Sequence, residues 1–135
     1  MTVHATGKFE VTLAPIGTDD KAEGSTLGRL AIEKRFDGDL VGGSKGEMMT
    51  AMTGTEGSAG YVAIERFLGT LHGRTGSFVL QHGGIMTRGA PQLTILVVPD
   101  SGTDQLVGLA GRMAIVITDG QHSYDFQYTL PDPPA

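Results

Sequence analysis

The sequence predicts an all-β protein: a single antiparallel up-and-down barrel of eight strands, with a β-sandwich as the alternative. Three observations carry this. Apolar residues recur every second position rather than every 3.6. The 21 glycines separate short clusters rich in Leu, Val and Ile, the spacing of strands and tight turns. No segment sustains a helical period over three turns, although Met and Ala around residues 47 to 57 favour helix locally.

The first strand is VHATGKFEVTL, residues 3–13. Val3, Ala5, Phe9, Val11 and Leu13 share one face, and His4, Thr6, Lys8, Glu10 and Thr12 the other. A polar loop, residues 14–26, follows, with turn formers at both ends. LGRLAIEKRF (27–36) is the second strand, closed by the turn DGD. GEMMTAMT (46–53) is a weaker third strand, with GGSKG before it as a hairpin loop. The fourth and fifth strands are GYVAIERFLGTL (60–71) and GSFVLQH (76–82). PQLTILVV (91–98), GRMAIVIT (111–118) and QHSYDFQYTL (121–130) complete the set, the last two joined by the hairpin signal Asp-Gly. Pairing of the first strand with the last closes the barrel. One domain is expected over residues 1–131, with a Pro-rich tail at 132–135 that frays.

Composition narrows the function. The net charge is -5 and the ten Lys and Arg are scattered singly, so no basic stripe is expected to bind nucleic acid. The longest apolar run is too short to span a bilayer, and the first residues lack the pattern of a signal peptide. A cytoplasmic protein without membrane contact is expected. Cys, Trp and Asn are absent. No disulfide framework, thiolate nucleophile or zinc ribbon is available. GGSKG matches the nucleophile-elbow pattern only literally, because no helix is expected after it. No metal or cofactor is implied by spacing.

Two polar residues stand in phase with the apolar face of the fourth and fifth strands. If Gly73-Arg74 is a two-residue hairpin loop, Glu65 faces His82 directly across the pair. They share a face with Tyr61, Ala63, Phe67, Phe78 and Leu80. A carboxylate and an imidazole inside a barrel must satisfy each other. By the same parity Lys34 points inward beside Ile32 and Phe36, although a strand lysine more often reaches solvent. Tyr124 and Tyr128 lie on the apolar face of the last strand, and Glu47 joins them if the third strand keeps its phase. The expected site therefore has Glu65, His82 and Tyr128 as catalytic groups. Lys34, Glu47, Tyr61, Phe67, Phe78 and Tyr124 contact the ligand. A purely structural Glu65–His82 pair is the competing reading. His4 and His72 read as solvated strand and turn residues.

The strings EKRFDGDLVGGSKGEMM, YVAIERFLGTLHGRTGSFVLQHGGIM, VVPDSGTDQLVGLAGRM and DGQHSYDFQYTLP together resemble a bacterial family classed as a domain of unknown function with an allene oxide cyclase-like barrel. The resemblance runs from the first strand to Pro131 and is most specific in ERFLGTLHGRTGSFVLQH. It implies a barrel and a type of cavity. It transfers no catalytic residue, because no sequence motif of the plant cyclases is present. The expected function is the binding of one mainly apolar small molecule, with cofactor-independent isomerisation or cyclisation by acid–base chemistry as the enzymatic form. A non-catalytic carrier or sensor, and a packed barrel working through its surface, are the alternatives. A pocket open at one end, where Glu65, His82 and a tyrosine hydroxyl converge, is expected. The opposite face of strands four to six, with Val62, Ile64, Leu68, Val79, Leu96 and Val98, should then face outward and support a homodimer.

Overall fold

Period-two alternation becomes long strands that tilt around a common axis. The computed structural model describes residues 2–132, so residues 133–135 of the expected tail lie outside the described residues. Among these, nine strands form one antiparallel sheet. They are β1 (Val3–Pro15), β2 (Asp20–Ala22), β3 (Ser25–Gly38), β4 (Leu40–Thr53), β5 (Ala59–Leu71), β6 (Arg74–Thr87), β7 (Ala90–Val97), β8 (Ala110–Thr118) and β9 (Gln121–Thr129). The order β1-β9-β8-β7-β6-β5-β4-β3 closes on itself because β1 also pairs with β3. This is the eight-stranded up-and-down barrel that the sequence predicts, not a sandwich. The first and last strands meet from Val3↔Tyr128 to Phe9↔His122.

Three features depart from the sequence reading. The polar loop contains β2, which pairs with the start of β3 from Asp20↔Leu27 to Ala22↔Ser25, beyond the last β1 partner at Pro15↔Leu30. The third expected strand starts six residues earlier, at Leu40. GGSKG is therefore strand, and Ser44 is not a loop residue. A single 3₁₀ turn, Asp104–Leu106, lies between β7 and β8 and buries Leu106. No helix of the described residues is long and apolar enough to cross a membrane.

The inward face is aromatic. The chain has five phenylalanines, and all of them face inward in one chain of rings. Centroid separations are 5.4 Å for Phe9–Phe36, 5.7 Å for Phe36–Phe67, 5.0 Å for Phe67–Phe78 and 5.7 Å for Phe78–Phe126. These separations suit tilted and edge-on contacts. Leu40, Leu71, Leu106 and Leu109 are buried in the same cluster. The apolar groups that remain outside include Val62, Ile64, Leu68 and Leu96, while Val79 and Val98 are half-buried.

Candidate functional site

The β5–β6 turn sets which residues meet. Its two loop residues are His72 and Gly73, with φ of 46° and 81°. Two positive φ values in succession make the turn whose twist matches the flanking strands. His is among the few non-glycine residues that enter this region readily. The loop thus sits one residue earlier than Gly73-Arg74, and Leu71 pairs with Arg74. The register shifts by two, which preserves facing but changes partners. Glu65 lies opposite Leu80, His82 opposite Ala63, and Phe67 opposite Phe78. Glu65 and His82 are therefore diagonal neighbours on the interior face, not directly opposed as the sequence reading places them.

They nevertheless touch, since diagonal positions are within reach of longer side chains. His82 Nε2 lies 2.5 Å from Glu65 Oε2. The contact is not aligned as a hydrogen bond, and Nε2 is left buried without an acceptor in line. Two further groups hold the carboxylate. Lys34 Nζ donates to Oε2 at 2.8 Å, and Ser44 Oγ donates to Oε1 at 2.7 Å. Four consecutive strands, β3 to β6, each supply one member. Glu65 and Ser44 are buried, and the Lys34 side chain is only 7% exposed. The lysine points inward as its parity predicts, with its ammonium 5.2 Å from the Phe9 ring centroid.

Burial alone would raise the Glu65 pKa, but contact with His82 and the charge of Lys34 outweigh it and hold the group at about 2. It is a fixed anion at neutral pH. Tyr61 stands two positions from Ala63 on the same face, with its ring centroid 6.3 Å from that of His82. Burial, and then the Glu65 charge, raise its phenol above the ordinary range.

The other expected members lie elsewhere. Glu47 faces outward, because even-numbered residues of β4 turn inward from Leu40 onward. Its carboxylate is 2.5 Å from Arg29, and both side chains are exposed. Tyr124 ties down the β3–β4 turn: its hydroxyl accepts from Leu40 N at 2.9 Å and donates to Asp37 O at 2.8 Å. The Tyr128 hydroxyl bonds His72 Nδ1. That contact lies at the β5–β6 turn, seven residues and about 23 Å along the chain from Glu65. Tyr128 and Tyr124 therefore do not converge with Glu65 and His82, and Tyr61 is the tyrosine that does. Phe67 and Phe78 are wholly buried in the aromatic core.

His72 is also not simply solvated, since Nε2 lies 3.5 Å from Asp39 Oδ2. His72→Ala should cost about 1–2 kcal/mol, from the positive φ and the lost tyrosine contact, with little from the half-exposed Asp39 pair. His72→Gly should recover only the backbone part. Urea midpoints of the two variants check this, and equal midpoints would remove the side-chain contribution.

Three concavities stand out, and neither Glu65 nor His82 lines any of them. The largest lies on the outer face of β3–β5. A second, about 430 Å³, marks the seam between β7 and β8, where the only ladder pair is Leu96↔Arg112. Among the described residues no three His, Asp or Glu side chains gather as a metal site.

Ser44 is the member that sequence reasoning missed. Leu40, Ser44 and Met48 do alternate inward, but Gly42 and Gly46 fall between them and erase the apolar signal.

The model of a family described as proteins of unknown function, DUF3224, matches residues 5–128, a span that contains the whole cluster. A solved structure from Shewanella oneidensis MR-1, a protein with unknown function from the DUF3224 family, is similar at 50% identity and a TM-score of 0.94. The match covers 98% of this chain and 100% of that one. No curated protein matches. With a family model over most of its length and a half-identical neighbour of the same fold, the chain belongs to the DUF3224 family.

Proposed function

We propose that the barrel binds one mainly apolar small molecule beside Tyr61 and His82 and moves a proton within it, a cofactor-independent isomerisation or cyclisation. The observation that carries this reading is His82 Nε2, buried against a fixed carboxylate yet without an aligned acceptor. A buried donor or acceptor left without a partner is costly, and a substrate atom would relieve it. Glu65, with its pKa near 2, is too weak a base to take a proton at neutral pH. Its role is to orient His82 and stabilise the imidazolium. With Nε2–H turned to Glu65, the other ring nitrogen of His82, Nδ1, takes the proton from one substrate atom and returns it to another, so the composition of the molecule is unchanged. Tyr61, rather than Tyr128 or Tyr124, donates a hydrogen bond to a substrate oxygen.

The test uses the neutral dye N-phenyl-1-naphthylamine. Saturable binding is expected, weakened about tenfold or more by Ala63→Phe, which places a ring opposite His82. Binding that ignores this substitution, or no binding, would count against the site. A packed barrel working through its surface is the second reading. The continuous chain of buried phenylalanine rings favours it, and an absence of dye binding would select it.

A cytoplasmic homodimer belongs to the same proposal. Val62 and Ile64 on β5 and Leu96 on β7 are exposed on either side of β6, and apolar surface of this kind supports self-association. Light scattering at micromolar concentration should give twice the chain mass, and the monomer mass would remove the dimer.

A further inference from the structure

A concavity of about 780 Å³ lies on the outside of the barrel wall whose inner side carries Lys34 and Ser44. Its register is simple. Arg35 pairs with Gly43 and Gly43 with Leu68, while Glu33 pairs with Lys45 and Lys45 with Arg66. Arg35, Lys45 and Arg66 thus surround Gly43, and all three are exposed. They are three of only ten Lys and Arg in a chain of net charge -5. Lys45 and Arg66 are directly opposed across the strand pair, an arrangement that disfavours the sheet on its own.

Acidic groups are nearby. Glu33 and Asp37 line the same concavity, with Glu33 Oε1 3.6 Å from Lys45 Nζ, and Glu10 lies opposite Arg35 in β1. Among the described residues, neither Arg35 nor Arg66 has a carboxylate within ion-pair distance.

Gly43 lies at the centre of the concavity. A Cβ at Gly42 would lie 2.3 Å from Leu68 O, and one at Gly46 1.9 Å from Ile64 O. At Gly43 the nearest atom is Lys34 O at 3.4 Å, an ordinary contact. The fold does not require glycine there. What the missing side chain creates is the floor of the concavity, and glycine inside a strand often marks close approach by a ligand. Leu68 at 68% exposed and Val41 at 47% flank that floor.

We propose that this groove binds an amphiphilic anion, a small carboxylate bearing an unbranched apolar chain. The carboxylate sits between Lys45 and Arg66, with Arg35 beside them. The chain crosses Gly43 toward Val41, a run of four residues or about 13 Å. This site is separate from the barrel interior, and Leu68 is the residue it shares with the apolar outer face.

Calorimetric titration with octanoate, octanol and octylammonium tests the proposal. Octanoate should bind saturably at one per chain, and octanol and octylammonium about tenfold more weakly or worse. Arg66→Gln should weaken octanoate about tenfold, and Gly43→Leu, which fills the floor, at least as much. Leu68→Ser is the substitute if Gly43→Leu lowers the urea midpoint. Binding of N-phenyl-1-naphthylamine should be unchanged in all three variants, which separates this groove from the interior site. No octanoate binding, equal binding of octanol, or indifference to both Arg66→Gln and filling of the floor would overturn the proposal.

Discussion

Glu65→Ala should lower the unfolding free energy by about 3–5 kcal/mol, because it removes the acceptor of two buried donors and the charge against which a buried imidazole sits. Lys34 and Ser44 donate to this carboxylate and His82 lies against it. Without it the ammonium must find water from a position only 7% exposed. The double variant Lys34→Met with Glu65→Leu should recover the part of the loss due to the stranded ammonium, since replacing both charges of a buried pair with apolar groups is often close to neutral, while Ser44 and His82 stay without their partner. The same group sets a pH dependence. Its folded pKa of about 2 lies below the ordinary 4.5. A depressed carboxylate contributes stability that is fully present above the unfolded value and is lost as pH falls through the folded one. The window is therefore between pH 4.5 and 2, and the contribution is about 3 kcal/mol. Urea midpoints at pH 7 and pH 3 should fall more for the wild type than for Glu65→Gln. Parallel falls would show that other groups dominate acid unfolding.

The architecture was largely legible because each strand has one wet face and one dry face, which writes period two into the sequence. Parity survives small errors of register. A β5–β6 loop placed one residue late still puts Glu65, His82, Tyr61 and Lys34 on the inner face, where they lie. What parity cannot supply is the partner. His72 entering the left-handed region, rather than Arg74 closing the loop, moved His82 from Glu65 to Ala63. Glycine hid the rest. Between Leu40 and Met48 the inward positions are Gly42, Ser44 and Gly46, and two absent side chains leave Ser44 looking like part of a loop. The same two glycines hide the phase of Glu47, which faces outward. The 3₁₀ turn carrying Leu106 has no periodicity to detect.

Gly46→Ala should be the most damaging single-methyl change in the barrel wall, with a cost above about 4 kcal/mol or failure to fold. The added Cβ would lie 1.9 Å from Ile64 O and 2.6 Å from Glu65 Cα. Both are backbone atoms of the neighbouring strand, so no rotamer change makes room. Strands β4 and β5 would have to part at the point where Gly46 pairs with Glu65. The ladder hydrogen bonds and the Ser44–Glu65 bond would go together. Gly43→Ala, three residues away on the opposite face of the same strand, should behave in the reverse sense. Its Cβ meets nothing closer than 3.4 Å, and neither glycine has a φ in the left-handed region. Replacing a strand glycine that is free of strain reduces the entropy of the unfolded chain, a gain of about 0.4–1 kcal/mol. The pair is tested by urea midpoints measured side by side. The prediction is a difference in sign, so it does not depend on the exact cost of either change. Equal midpoints would mean that β4 and β5 do not approach as closely at Gly46 as the register requires, and the anchoring of Glu65 would then need a different geometry.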